Sequence, residues 1–315
     1  MRDKFKVQNS KLKAAFFTLL LLFLFTCNAA AADKIIGVIM TGDISYYSDV
    51  HDAFMARLAR KGYAEKVEVF IQKPYPDSIS LSNAARKLIA IDVDVIVTYG
   101  APATDAVLRE RTEIPTVYSC VYEPCNFKSS RNLTGTCSRT HVSSLLRYLR
   151  AITTISTLGV IYNSDEEDSM QQGLELNRFS NQFGFKIEGI NLKNPKDLKQ
   201  MLSAKKFDAL FITNSSTSGR AFSSILSFSW ENKIPTATFL SGKNQYATIT
   251  LSPAPKEQGE KAAEKVISIF EGIPTDKIKV DTSSETELIF NLKEANSMGF
   301  RIPMELVTEA TRLIQ

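Results

Sequence analysis

The chain has 315 residues, 44% hydrophobic and 23% charged, with a formal charge of +4 and only two histidines. Its length exceeds what one compact core usually organises, which predicts two lobes of ordinary size. With no basic stripe, no Arg/aromatic pattern, no C-x-x-C pair and no Cys/His quartet, the composition speaks against nucleic-acid, metal and cofactor binding.

Residues 1–32 read as an export signal. Arg2, Lys4, Lys6, Lys11 and Lys13 stand against Asp3 alone, the apolar run Ala14 to Thr26 follows, and Asn28 to Ala32 offers Ala-x-Ala cleavage sites. That run falls short of the roughly 20 apolar residues that span a bilayer. An uncleaved anchor and a lipoprotein attached through Cys27 are the alternatives. Without the leader, 33 basic and 33 acidic residues remain, so the expected product is a neutral, soluble, periplasmic or otherwise extracytoplasmic body.

From Asp33 onward short Val/Ile-rich runs alternate with segments of helical periodicity, the pattern of parallel strands joined by crossover helices. The strand Ile35 to Met40 precedes a helix with Val50, Phe54 and Leu58 on one face and Gly62 at its end. Next come the strand Val67 to Ile71, a helix around Leu81, Ala85, Leu88 and Ile89, the strand Val95 to Tyr99, a helix opening at Pro102, and the strand Pro115 to Val121. A helix with Leu145, Leu146 and Leu149 leads to a second series. Its strands are Leu158 to Tyr162, Lys186 to Leu192, Ala209 to Thr213, Pro235 to Phe239 and Ala247 to Leu251. Its helices carry Met170, Leu174, Phe179 and Phe183, then Leu198 and Leu202, then Ala221, Ile225 and Phe228. The tail adds an amphipathic helix, Lys256 to Gly272, a strand near Leu288 to Phe290 and two closing helices. The fold class is α/β: two doubly wound parallel-sheet lobes with a hinge, residues 33–138 with 253–280 and residues 139–252 with 281–315. No Gly/Ser-rich linker separates them, so short ordered crossings are expected.

Cys120, Cys125 and Cys137 remain after the leader, and in an oxidising compartment they predict one disulfide with one cysteine left over. All three pairings are open, those of Cys137 with either of the others being favoured because Cys120 and Cys125 flank a tight segment with Pro124. Enzyme readings lack their parts: there is no G-x-S-x-G, no G-x-x-x-x-G-K-[ST] and no G-x-G-x-x-G after the first strand. His51 and His141 read as packing or surface residues. The cluster Asp165, Glu166, Glu167 and Asp168 reads as a solvated first turn favoured by the helix dipole. No catalytic residue is expected.

In open parallel sheets ligands lie beyond the carboxyl ends of the strands. The exits there carry Thr41, Gly42 and Asp43; Gly100 to Thr104; Tyr122 and Glu123; Asn163, Ser164, Asp165 and Ser169; Asn214, Ser215, Ser216 and Thr217; and Ser241, Gly242 and Lys243. In Gly100-Ala101-Pro102-Ala103-Thr104 an early proline starts the helix, and the N–H groups of Ala103 and Thr104 are expected to face an anion such as a carboxylate. The alternative is an ordinary proline-started helix capped by water.

The stretches Asp94-Val95-Ile96-Val97-Thr98-Tyr99-Gly100-Ala101-Pro102-Ala103, Asn132-Leu133-Thr134-Gly135, Leu158-Gly159-Val160-Ile161-Tyr162-Asn163 and Ile289-Phe290-Asn291-Leu292-Lys293-Glu294-Ala295 resemble the periplasmic substrate-binding proteins of ABC importers. The likeness is to the family that takes up tryptophan, tyrosine or phenylalanine, and it covers nearly all of Lys34 to Gln315. It implies a type I periplasmic-binding-protein fold, a small carboxylate-bearing ligand gripped between the lobes, a membrane permease as partner, and a monomer. By the same resemblance the carboxylate site falls on Ala103 and Thr104, with Thr41 and Asp43 nearby. Tyr122 and Glu123 stand where the family has Thr-Asp, which gives Glu123 an ammonium to face. Asn163, Ser169, Asn214, Ser215 and Ser216 form the opposite wall. The chain departs from the family at Ser241-Gly242, where acidic residues are usual, and at Ser252-Pro253-Ala254-Pro255, where an aromatic turn is usual. A sensor that presents its closed form to a membrane receptor or kinase is the alternative role.

Overall fold

The β-branched runs become strands because their residues are covered on both faces, and helix-starting residues follow them. A computed structural model describes residues 33–42, 44–122, 127, 131–241 and 246–315. The expected leader with Cys27, and also Asp43, Glu123, Cys125 and Gly242, lie outside the described residues. Lys34–Gln315 is one compact unit, and no helix among the described residues is long and apolar enough to cross a membrane.

The chain opens with β1 (Lys34–Met40), α1 (Ser45–Arg60), β2 (Val67–Gln72), α2 (Ser78–Ala90), β3 (Val95–Tyr99), α3 (Ala101–Arg109), β4 (Thr116–Val121) and β5 (Leu133–Cys137). A second series follows with α4 (Val142–Ile152), β6 (Thr157–Tyr162), α5 (Glu167–Phe183), β7 (Lys186–Asn191), α6 (Leu198–Ser203), β8 (Ala209–Ile212), α7 (Ser216–Asn232), β9 (Thr236–Thr238) and β10 (Ile249–Pro253). The tail holds α8 (Pro255–Phe270), β11 (Asp281–Thr282), β12 (Thr286–Asn291), α9 (Leu292–Met298), α10 (Met304–Glu309) and β13 (Arg312–Ile314).

One sheet runs β11-β5-β4-β3-β1-β2 and is parallel throughout; the other runs β13-β12-β10-β9-β8-β6-β7. In each, the first strand lies between the second and third, so strand order reverses at β1 and at β6. These are the points where a crevice opens beyond the carboxyl ends. Each sheet is covered on both faces. Val50, Phe54 and Leu58 of α1 pack with Ala263 and Val266 of α8 on one side of the first sheet, and Leu81, Ala85 and Leu88 of α2 with Val107 of α3 on the other. In the second sheet Leu145 and Leu149 meet Phe211 and Phe290 on one face, and Leu202 meets Phe222 and Ile225 on the other.

The structure departs from the expected elements at several points, among them the short strands β11 and β13, absent from the expected tail. The five residues of β5 have a single aliphatic side chain, which hid the strand, yet Gly135 lets it lie flat against β4. A Cβ there would meet the Tyr118 carbonyl oxygen and ring at 2.4 Å. The second sheet is mixed, because β12 runs antiparallel to β10. Helix α5 buries Asp168, Ser169, Gln172, Leu176 and Ser180, while Leu174 and Phe183 are 48% and 40% exposed. Its inward face begins polar because it packs at the strand exits, where backbone groups need partners.

Cys120 is a free, buried thiol in β4 at φ +62, so of the pairings open to the three cysteines those that use Cys120 are not made. The ladder between β4 and β5 slips between Tyr118 and Val121. Gln258 of α8 stitches the slip: its Oε1 accepts from Ser119 Oγ at 2.8 Å and Cys120 N at 3.1 Å, and its Nε2 donates to the Cys137 carbonyl at 3.0 Å.

The chain passes between the sheets after β5, after β10 and after β11. These passages are ordered by hydrogen bonds: Ser138 N donates to Val121 O at 2.8 Å, Ala254 N to Glu285 O at 2.9 Å, and Ser283 N to Cys137 O at 2.9 Å. Glu257, in the first turn of α8, accepts from the N–H groups of Ser284 and Glu285 and from the hydroxyls of Ser283 and Ser284. Burial pushes the Glu257 carboxyl up, but the Lys261 ammonium and these donors outweigh it and hold it at about 2.

Candidate functional site

The exits of both sheets face a cleft of about 510 Å³. The first sheet contributes Tyr75, Pro76 and Asp77 from the β2–α2 loop and Ala101, Pro102, Asp105 and Arg109 from α3. The second contributes Asn163, Asp165, Glu166 and Glu167 after β6, Lys193 after β7, and Thr217 and Arg220 of α7.

The opposite wall is built around Asn163 and Glu166. Asn163 is 7% exposed, accepts from Asp165 N at 3.0 Å, and donates through Nδ2 to Glu166 at 3.1 Å and to Thr217 Oγ1 at 2.9 Å. Ser169 is sealed beneath it, accepting from Asn163 N at 2.9 Å and lying 2.6 Å from the Thr213 hydroxyl. Ser215 caps α7 by accepting from Ser218 N at 2.9 Å. Both Glu166 carboxylate oxygens accept from Ser216 N, at 2.9 and 3.1 Å, so a side chain of the protein itself sits on the positive end of α7. Burial raises the Glu166 carboxyl above its ordinary value despite these donors. Asn214 donates its N–H to Gln172 at 2.8 Å, while Asn214 Oδ1 and Ser216 Oγ are buried with no hydrogen-bond partner among the described residues.

The acidic cluster is therefore not a solvated turn. Asp165 is the one exposed acid of the four, paired with Lys193 at 2.8 Å, while Glu166 and Glu167 are half-buried in the cleft wall. Asp168 is 6% exposed and accepts the Tyr122 N–H at 3.0 Å, tying the end of β4 to α5. Tyr122 itself packs in the core of the second sheet, stacked on Phe239, with its hydroxyl donating to Thr140 O at 3.1 Å and Glu175 at 3.0 Å.

On the first wall the side chains expected at the anion site turn inward. Ala103 and Thr104 are fully buried; Thr104 N donates to Gly100 O at 3.3 Å, and its hydroxyl also bonds Gly100 O, at 3.0 Å. The Thr104 N–H is thus used within the helix, contrary to the expectation that it faces an anion. Thr41 is 1% exposed and donates to Tyr99 O at 3.2 Å. His51 is a packing residue 3.2 Å from the Tyr99 hydroxyl, and burial lowers its pKa.

Of the described residues expected to touch ligand, Asn163 alone lines the cleft, and Thr41, Ala103, Thr104, Ser169 and Ser215 support its walls from behind. Sequence reasoning missed Tyr75, Asp77, Lys193 and Arg220. The first three sit on the exits of β2 and β7, the strands on the far side of each switch point, and the rule that pointed to the other exits applies to them equally. The lining holds five carboxylates, Asp77, Asp105, Asp165, Glu166 and Glu167, against three cations, Arg109, Lys193 and Arg220. Burial raises the Asp105 carboxyl; Arg109 opposes the rise, and Glu167, facing it from the other sheet, adds to it. Such a cleft suits a ligand carrying a positive charge beside any anionic group.

The profile of the family described as ABC transporter substrate binding protein matches residues 36–314. A tyrosine-binding protein of Clostridioides difficile is 24% identical over 251 residues, covering 76% of this chain and 73% of that one. An ABC domain of Streptococcus pneumonia in complex with L-Trp superposes with a TM-score of 0.84 at 18% identity, over 90% of this chain and all of that one. A ligand-free, open substrate-binding protein with adhesive properties from Clostridium difficile gives 0.66 at 22% identity, over 90% of this chain and 99% of its own. At these identities the structural likeness is one of fold, the type I periplasmic-binding-protein fold. With its match spanning nearly all described residues, the chain belongs to the family of ABC transporter substrate-binding proteins, which bind small molecules outside the cytoplasm, work with membrane permeases and are not enzymes.

Proposed function

We propose that this protein captures an amino acid, aromatic in its side chain, between its two lobes and delivers it to the permease of an ABC importer. The observation that carries this reading is the cleft itself: it is bounded by both sheets at their switch points, has the volume of a small ligand, and offers charges of both signs. The reported ligands of the relatives, tyrosine and L-Trp, supply the class. We take the lobes as residues 33–138 with 253–280 and residues 139–252 with 281–315, β11 crossing the border to join the first sheet. The proposed ligand contacts keep Asn163 and, on the facing wall, the start of α3, with Ser169, Asn214, Ser215 and Ser216 holding the Asn163 wall from behind. Export by the N-terminal 32 residues, with or without lipid on Cys27, completes the proposal.

A ligand touching both walls favours the closed form, and the permease reads that form. Moving such a hinge from mostly open to mostly closed takes about 5.5 kcal/mol of preference, which a few charge-assisted hydrogen bonds of about 1.5–3 kcal/mol each supply. Thermal unfolding against a panel of amino acids, aromatic acids, peptides and nucleosides tests the function. A true ligand at a hundred times its Kd adds about 2.7 kcal/mol of stability. Stabilisation by nucleosides alone, or by nothing carrying a carboxylate, contradicts the reading.

A further inference from the structure

Arg220 is exceptional among the cleft's cations. Arg109 pairs with Asp105 at 3.9 Å and Lys193 with Asp165 at 2.8 Å. Arg220 has no carboxylate partner among the described residues, although five carboxylates line the same cleft. Its guanidinium lies instead over the ring of Tyr75, 4.1 Å from the centroid. The two come from opposite sides: Tyr75 from the β2–α2 loop beside the first sheet, Arg220 from α7 beside the second.

Both partners are held in place. The loop is pinned where Gly42 N donates to Pro74 O at 3.1 Å and Asp77 N to Tyr75 O at 2.8 Å. Asp77 then caps α2, accepting from Ile79 N at 2.9 Å and Ser80 N at 2.8 Å. Helix α7 is fixed by Ser215 and Glu166 at its start, and at its second turn Gly219 gives it a close approach to the first lobe. A Cβ there would lie 3.2 Å from Ile44 Cγ1. The next residue is Arg220, so the glycine brings the guanidinium within reach of Tyr75. The ring, 56% exposed, holds the cation without consuming its donors, because a guanidinium resting on an aromatic face keeps its in-plane N–H groups free.

We propose that Arg220 binds the carboxylate of the ligand, that Tyr75 positions it from the facing lobe, and that the pair makes the cleft selective for free amino acids over their carboxyl-blocked forms. This rests on the reading of the protein as an amino-acid binder and moves the carboxylate from the start of α3 to α7. The ammonium then faces the surplus acids, with Asp105 and Glu167 on opposite walls. Because the Arg220–Tyr75 contact exists only when the walls are close, carboxylate recognition and closure are coupled.

The test is calorimetric titration of the purified protein with L-tyrosine and L-tryptophan and with the amide of each. Wild type is expected to prefer the amino acid to its amide by tenfold or more, about 1.4 kcal/mol. Arg220→Gln is expected to bring that ratio close to one while leaving amide affinity within about threefold. Tyr75→Phe retains the preference and Tyr75→Ala reduces it, since the ring face and not the hydroxyl does the positioning. Arg220 is exposed, and circular dichroism verifies that the variants stay folded. An Arg220→Gln protein that keeps the full preference overturns the proposal and leaves the amino-acid reading standing. A wild type that binds neither amino acid overturns both.

Discussion

Glu294 stands at the start of α9, where its carboxylate accepts from Thr248 Oγ1 at 3.4 Å and Asn291 Nδ2 at 2.9 Å. Asn291 Nδ2 also donates to Tyr246 O at 3.2 Å, so one amide joins this acid to the backbone that follows β9. Burial pushes the carboxyl up to about 7, more than the two donors can offset. The folded protein therefore holds this proton at pH values where the unfolded chain has released it. Stability from this site is greatest below the ordinary glutamate value of 4.5 and falls as pH rises through about 7. The total is on the order of 3 kcal/mol at most. Glu294→Gln should flatten the dependence of the unfolding midpoint on pH between those values and raise stability at pH 8. A variant whose pH profile overlays that of wild type would show that Glu294 titrates normally.

At the scale of elements, α1 and α8 pack backbone to backbone. The Cα of Gly259 lies so near α1 that a Cβ would stand 2.2 Å from Val50 O and 2.7 Å from Phe54 N, both backbone atoms that cannot rotate away. Gly259→Ala must part the two helices, at a cost of about 1–3 kcal/mol or more. Its denaturant midpoint should drop accordingly; an unchanged midpoint would mean that the packing yields freely. This contact also shows what the sequence does and does not expose. The apolar spacing of Val50, Phe54 and Leu58 announced the buried face of α1, and the runs Val95 to Tyr99 and Leu158 to Tyr162 announced strands, because burial on both faces demands unbroken aliphatic sequence. Strand β5 gave no such sign, since Gly135 is required by Tyr118 of β4 and Thr134 by its 2.9 Å hydrogen bond to Ile278 O, far along the chain. Helix α5 was read only in part, Phe179 packing on the core as expected but Leu174 and Phe183 facing out, because its inward side begins with Asp168, Ser169 and Gln172, which hold strand exits rather than a core. In the cleft, small polar exits were readable, whereas Arg220 and Tyr75 become a pair only when two lobes meet, which no local pattern records.

At the scale of the whole molecule, three ordered passages join the two sheets, and the Glu257 carboxylate gathers the last of them against α8. Tyr122–Asp168 and Arg220–Tyr75 join residues of the two lobes, and the hinge proposed above runs through these passages. The central claim is that a small ligand bridges the cleft walls and draws them together. Small-angle scattering of the purified protein, recorded with and without the amino acid that stabilises it most, tests this directly. The expected result is a smaller radius of gyration with ligand bound. Saturating, tight binding with superimposable scattering curves would contradict it.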